Sequence, residues 1–300
     1  MITRRRMISI LAGAAALPVL GTVANASVVN WRGVALGANA NIVLDHPNAD
    51  ALLDSALQEI ARLEKVFSLY QSDSQLSILN RYGALAAPAI ELLDLLNISA
   101  RIVNETNGAF DPTIQPLWAL YAQRYAAGAK PSKAEIADAR SRVGFQNITV
   151  SPEMVSFSKP GMALTFNGIA QGYIADKVAQ LLRREGVTDV LVNTGEINAI
   201  GIAPDGGAWP ITLADQQRQL SNAAIATSAP NGTFFDQQGI VGHILDPRTG
   251  LPGGNWQTIS VIDKSAARAD GLSTAFCLMS KEQIHAVSGT HEVVFGEASS

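Results

Sequence analysis

The sequence predicts an α+β fold, with mixed and antiparallel sheets against packed helices. Three observations lead there. Apolar residues at helical spacing dominate the chain up to about residue 144. Short β-like runs take over from about residue 145, and no internal repeat, low-complexity tract or linker divides the chain into separate units. Of 300 residues, 47% are hydrophobic and only 16% charged, enough to fill a large core and unlike a disordered composition. A net charge of −4, with no basic stripe, excludes broad electrostatic binding of nucleic acid.

The elements follow in order. Residues 1–26 carry an arginine cluster, an apolar stretch and the small-residue ending Ala24-Asn25-Ala26, the layout of an export signal cleaved after Ala26. Thr3-Arg4-Arg5-Arg6-Met7-Ile8 resembles a twin-arginine address, which a receptor reads and which anchors nothing. The stretch is too short and too rich in Ala and Gly to span a membrane, so no integral membrane protein is expected once it is removed. Its removal takes three arginines and no acids, moving the net charge from −4 to −7. Residues 28–46 are spaced for strands, and Leu53, Leu57, Ile60, Leu63 and Phe67 for a helix. A second helix fits 89–108, stopped by Asn107-Gly108, and a third 132–144, with Ser132 and Glu135 as its capping box. Strand-like runs at 147–151, 154–158 and 163–167 lead into a helix over 168–186, closed by Gly186. Residues 189–202 read as a strand broken at Thr194-Gly195. The runs at 210–215, 224–229, 242–247 and 258–263 read as further strands, followed by a helix over about 268–280 and a closing strand at 292–296. The single cysteine, Cys277, lies in an apolar run; it excludes an internal disulfide and reads as a buried small hydrophobe.

Five stretches are able to carry chemistry, each with a plain structural alternative. In "TFNGIAQGY" (165–173) a strand passes through glycine into a helix, leaving backbone N–H groups suited to a pyrophosphate; such junctions are also common without a ligand. In "RADGLSTAF" (268–276) Asp270 and Thr274 stand four apart on one helix face and offer a hard divalent cation oxygen ligands. An acid favoured by the helix dipole, with a packed Thr274, is the equal alternative. "GAFDP" (108–112) is by itself a turn, and Tyr70 in "SLYQSDSQLS" is either a core tyrosine or a ring that stacks on a flat ligand. His243 in "GHILDPRTG" (242–250) is a structural hydrogen-bonder or, with its neutral-range pKa, a base.

Taken together, Tyr70 in its loop, "GAFDP", "NGIAQGYIADKVAQLL", "LVNTGEI", "GHILDPRTG" and "ARADGLSTAF" resemble the ApbE family of FAD:protein FMN transferases, over roughly residues 30–280. The resemblance implies a single ApbE-like, T-fold-related domain over 27–300, cleavage of FAD at its pyrophosphate with Mg²⁺, transfer of FMN to a threonine or serine hydroxyl of a protein, and release of AMP. It implies Asp270 and Thr274 as Mg²⁺ ligands, with the Gly168 carbonyl beside them. It implies Leu36, Tyr70, Ala109, Phe110, Asp111, Thr165 and Gln171 around FAD, and His243 as the base on the acceptor hydroxyl.

The chain departs from the family's usual pattern at four places. Thr165 stands where an acid is common, Gln171 where a lysine is, Gly195-Glu196-Ile197 where G-G-D is, and "LGANA" (36–40) where M-G-T is. "NGIAQGY" with a twin-arginine signal is similar to the NosX-type branch associated with nitrous-oxide-reductase maturation. That likeness implies a periplasmic enzyme and a membrane-anchored flavoprotein as acceptor. The altered nucleotide positions leave two other readings open, a flavin carrier without turnover and an FAD pyrophosphatase that hands FMN to water.

Overall fold

The computed structural model describes residues 28–213, 216–287, 289 and 291–296. The expected export signal lies outside the described residues. Seven strands form one sheet in the order β1-β2-β6-β7-β10-β11-β12, every neighbour antiparallel. They are β1 (Val28–Ala35), β2 (Ala38–Asp45), β6 (Val190–Asn193), β7 (Ile197–Ile200), β10 (Ala223–Ser228), β11 (Thr258–Asp263) and β12 (Glu292–Gly296). The connections carry the helices α1 (Ala49–Phe67), α2 (Gln75–Tyr82), α3 (Ile90–Glu105), α4 (Gln115–Ala126), α5 (Lys133–Ser141), α6 (Ala170–Arg184), α7 (Ala266–Phe276) and α8 (Lys281–Ala286). A small sheet of β3 (Ala84–Ala86), β5 (Met154–Phe157) and β4 (Ile148–Val150), and a hairpin of β8 (Trp209–Leu213) and β9 (Gln216–Leu220), complete the α+β fold.

The central strands of the sheet are buried on both faces, and their alternation shows it. Val190 and Val192 of β6 and Ala224 and Ala226 of β10 join the large core under the helices. Leu191 and Ile225, one residue out of phase, join a second core with Trp209, Ile211, Leu213 and Leu220 of the β8–β9 hairpin. Successive side chains of a strand point to opposite faces, so one run of apolar residues serves both cores.

Helix α1 buries Leu52, Ala56, Ile60 and Leu63, the stripe that its spacing predicts. Helix α5 starts on the complete Ser132–Glu135 capping box, as its sequence predicts. Helix α7 differs from both: nine of its eleven residues are buried, because it is wedged between β10 and β11 on one side and α3 and α6 on the other. Where α6 and Ile102 of α3 approach most closely, only glycine fits. A Cβ on Gly271 would stand 2.6 Å from Ile102, and one on Gly172 of α6 would stand 2.2 Å from the Ala266 carbonyl oxygen.

Several expected elements differ. Residues 163–167 form no strand; Leu164 N–H bonds Asn80 Oδ1 and Thr165 N–H bonds the Pro112 carbonyl, side-chain and loop partners in place of a ladder. Residues 242–247 make only the isolated bridges Phe234–Gly242 and Leu245–Pro252. The last predicted helix, 268–280, ends early: α7 stops at Phe276, and a further helix, α8, follows from Lys281, where Ser280 opens a new capping box. Helices α2, α4 and α8 have no counterpart in the sequence reading, and the polar "QSDSQ" run hides α2's Ser74 N-cap. Among the described residues, no helix is long and apolar enough to cross a membrane.

Candidate active site

A cavity of about 410 Å³ opens where the N-terminal end of α6, the face of α7 and the ends of β10, β11 and β12 converge. The loop from Ala229 to Gln257, which carries His243, forms another wall, and Ile114 and Trp118 line it beside the start of α4. Tyr70 stands at its edge, 60% exposed, with its side chain hydrogen-bonded to Asn167.

Oxygen atoms gather at the α6–α7 junction. Thr274 Oγ1 lies 3.5 Å from the Gly168 carbonyl oxygen, and Asp270 is one helical turn before Thr274 on the same face of α7. Gly168 is there because nothing larger fits: a Cβ would stand 2.7 Å from Thr274 Oγ1. Ser228 Oγ approaches Thr274 Oγ1 at 3.4 Å and Ser273 Oγ at 2.8 Å, so β10 braces the same turn of α7. Carbonyl, hydroxyl and carboxylate oxygens are the donors a hard divalent cation takes. Among the described residues no group of three or more His, Cys, Asp or Glu converges on one point. A cation here would therefore share its shell with water or phosphate oxygens, the usual habit of Mg²⁺.

Two buried acids add to the cluster. Asp270 is 4% exposed and accepts the Gly172 N–H at 3.1 Å; Glu196 is 6% exposed and accepts the Thr227 N–H at 3.0 Å. Burial holds both carboxyls above the ordinary carboxylate range, and the charge of Asp270 pushes Glu196 further up. Such a pair is costly to ionise without a positive charge nearby. The turn that delivers Glu196 requires Gly195, whose φ is +107° and whose added Cβ would meet Gln171 Cδ at 2.6 Å. That contact also packs Gln171 against the β6–β7 turn, and Thr194 Oγ1 donates to the Gln171 carbonyl at 2.8 Å.

His243 is held from behind. Its backbone N–H donates to the Thr233 carbonyl at 3.0 Å, and its ring Nδ1 lies 3.2 Å from the same oxygen. A carbonyl only accepts, so this contact favours the tautomer protonated on Nδ1, with the lone pair on Nε2. Burial pushes the imidazole pKa below its ordinary value, outweighing the Thr233 and Pro230 carbonyls that favour the charged form. The "DPRTG" segment is the turn its sequence predicts: Asp246 accepts the Arg248 backbone N–H and pairs with its guanidinium at 2.8 Å, and Gly250 N–H returns to the Asp246 carbonyl.

Of the residues singled out in the sequence, Tyr70, Thr165, Gly168, Gln171, His243, Asp270 and Thr274 line this one cavity. Leu36, Ala109, Phe110 and Asp111 do not. Leu36 sits in the β1–β2 turn with its N–H on Glu64 Oε1 at 2.7 Å, and its side chain packs against the main core. Ala109 and Phe110 are core residues, 1% and 5% exposed. The Asp111 carboxylate is occupied by Thr113 N–H and Oγ1 and by Phe145 N–H. Sequence reasoning missed Trp118, Ile114, Thr227, Ser228 and Ser260 as cavity lining, and it met Glu196 only as a departure from a pattern. No spacing singles out these residues; they meet only when α4, β10 and β11 converge on the cavity.

Comparison with known proteins follows from this geometry. The family model described as "ApbE family" matches residues 20–295.

The chain belongs to the ApbE family.

The FAD:protein FMN transferase of Vibrio cholerae is 28% identical over 292 residues, covering 92% of this chain and 84% of that protein. The FAD:protein FMN transferase of Salmonella typhimurium is 27% identical over 278 residues, covering 86% and 77%. Among solved structures, the flavin transferase ApbE from Vibrio cholerae superposes with a TM-score of 0.77 at 27% identity, covering 89% of this chain and 93% of that one. The apo flavinyl transferase ApbE of Pseudomonas stutzeri superposes with a TM-score of 0.77 at 28% identity, covering 87% and 88%. The α+β architecture of this ApbE-family chain is thus that of its solved relatives.

Proposed function

We propose that the chain is an FAD:protein FMN transferase, moving FMN from FAD to a threonine or serine hydroxyl of an acceptor flavoprotein and releasing AMP. His243 carries the reading: the Thr233 carbonyl favours the Nδ1-protonated tautomer, and the ring lines the cavity that holds the Gly168–Asp270–Thr274 oxygens. The acceptor hydroxyl gives its proton to Nε2 as its oxygen attacks the FMN-side phosphorus. The pyrophosphate P–O bond breaks, and the departing AMP oxygen takes up the charge. The acid of His243 returns the proton to solvent or product.

The donors at Gly168, Asp270 and Thr274 fit a hard divalent cation, and Mg²⁺ bound there would neutralise charge on the phosphates. Tyr70 and Trp118 offer flat faces for the ring systems of the nucleotide. Thr165 and Gln171 flank the start of α6, whose positive dipole end favours an anion. The arginine-led residues 1–26 support export by the twin-arginine route to the periplasm, with a membrane-anchored flavoprotein of the nitrous-oxide-reductase pathway as acceptor.

The test is to incubate the purified protein with FAD, Mg²⁺ and candidate acceptor domains. In-gel fluorescence of the denatured acceptor reads covalent FMN, and chromatography reads AMP. Free FMN with AMP and a dark acceptor would make the protein a pyrophosphatase. FAD bound but intact with every acceptor would make it a carrier, and either result overturns the transferase reading.

A further inference from the structure

The cation donors come from two separate pieces of chain, and something must hold the pieces in register. Gly168 precedes α6, whereas Asp270 and Thr274 belong to α7. The first-turn N–H groups of a helix have no partner within it. At α7 three of these are satisfied from outside the helix or by its cap. Ser265 Oγ accepts the Arg268 N–H at 3.2 Å, and the other two go to a carboxylate on α6, Asp176.

Asp176 receives four hydrogen bonds. Its Oδ1 accepts from Ala266 N–H and from Asn198 Nδ2, both at 2.8 Å. Its Oδ2 accepts from Ser265 Oγ at 2.7 Å and from Ala267 N–H at 3.1 Å. One side chain therefore joins α6, the start of α7 and strand β7. A turn further along, the Gly172 N–H of α6 meets Asp270 Oδ2 at 3.1 Å, and the missing Cβ of Gly172 lets the two backbones touch. These two ties fix how far α7 slides along α6, and that distance sets where Thr274 stands against the Gly168 carbonyl.

We propose that Asp176 is a positioning residue for the cation site, locking α7 to α6 so that Asp270 and Thr274 face the Gly168 carbonyl. The inference rests on the cation reading given above. Its own content is that the site's affinity is set from Asp176, a side chain that does not line the cavity.

Replacing Asp176 by Asn puts an amide nitrogen against donors on at least one side, because backbone N–H groups approach both oxygens. Mn²⁺ serves as the probe, its binding read from loss of the free-ion electron paramagnetic resonance signal in the full chain without nucleotide. Asp176→Asn is expected to weaken Mn²⁺ binding at least tenfold while far-UV circular dichroism stays native. Asn198→Ala removes one of the four bonds and leaves the α7 cap intact; it is expected to weaken binding by a smaller factor. A merely structural role would lower the melting temperature and leave the Mn²⁺ affinity of the folded protein unchanged.

Unchanged affinity in folded Asp176→Asn overturns the proposal and leaves the cation reading standing. Absence of Mn²⁺ binding in the unsubstituted chain overturns the cation reading and the proposal with it. Should Asp176→Asn fail to fold, Asn198→Ala decides by the same criterion.

Discussion

At the scale of the residue, the behaviour of His243 depends on its far nitrogen. The Thr233 carbonyl at Nδ1 favours the tautomer that leaves Nε2 unprotonated. His243→Ala should retain FAD, since the ring is one wall among many, but transfer should fall roughly 100- to 10,000-fold, the usual contribution of a positioned acid–base group. Equilibrium FAD binding alongside in-gel flavin fluorescence checks both halves. Full transfer activity in that variant would remove the base role.

The pH dependence has a definite sign. Burial lowers the imidazole pKa, so the neutral base survives to more acidic pH than a free histidine would. The rate should hold steady through pH 7 and decline only below the ordinary histidine value of 6.5. A profile that is half lost at or above pH 6.5 would contradict this. For Asp270→Ala, the Mg²⁺ requirement should rise, and excess Mg²⁺ should restore activity only in part; an unaltered Mg²⁺ titration would count against the donor role.

At the scale of the element, the α6–α7 contact is the sensitive place, because its limits are set by backbone. In a helix, Gly→Ala ordinarily gains about 1 kcal/mol. At Gly172 the new methyl would meet the Ala266 carbonyl oxygen at 2.2 Å, and backbone cannot step aside as a side chain does. Overpacking of this kind costs about 1–3 kcal/mol, so Gly172→Ala should lower the melting temperature despite its better helix propensity. Differential scanning calorimetry decides; a higher melting temperature would mean that the helices part easily.

This junction was half legible in the sequence. The i, i+4 pair Asp270–Thr274 and the Gly168 junction were visible as local patterns, because helical period and glycine placement are local facts. That Gly168 and Thr274 meet, 106 positions apart, was not visible from either pattern. Helix α2 was hidden for a related reason: its Ser74 cap lies in a polar run that reads as loop until Leu76 and Leu79 find the core.

At the scale of the whole molecule, one antiparallel sheet separates a large helical core from a small hairpin core. The strands were legible where apolar runs were bounded by turns, at β6, β7, β10 and β11. The runs at 163–167 and 242–247 have the same composition but take partners from loops and side chains, which no strand pattern distinguishes. Trp209 closes the hairpin core, 5% exposed with its indole N–H on the Ile200 carbonyl at 2.9 Å. Trp209→Ala should cost about 3–5 kcal/mol, typical of a buried tryptophan truncated to alanine. Urea unfolding followed by circular dichroism measures it, and a loss under 1 kcal/mol would make the hairpin an ornament.

The small side chains of α7 have a thermodynamic corollary. Five of its eleven residues are Ala or Gly, whose side chains surrender almost no rotamer freedom on burial. Packed between β10 and β11 on one side and α3 and α6 on the other, it meets neighbours on both faces. The entropy of aligning Asp270 and Thr274 is settled during folding. In the proposed transferase, a nucleotide arriving at the cavity would meet donors already placed by folding, leaving its binding energy for the bond that breaks.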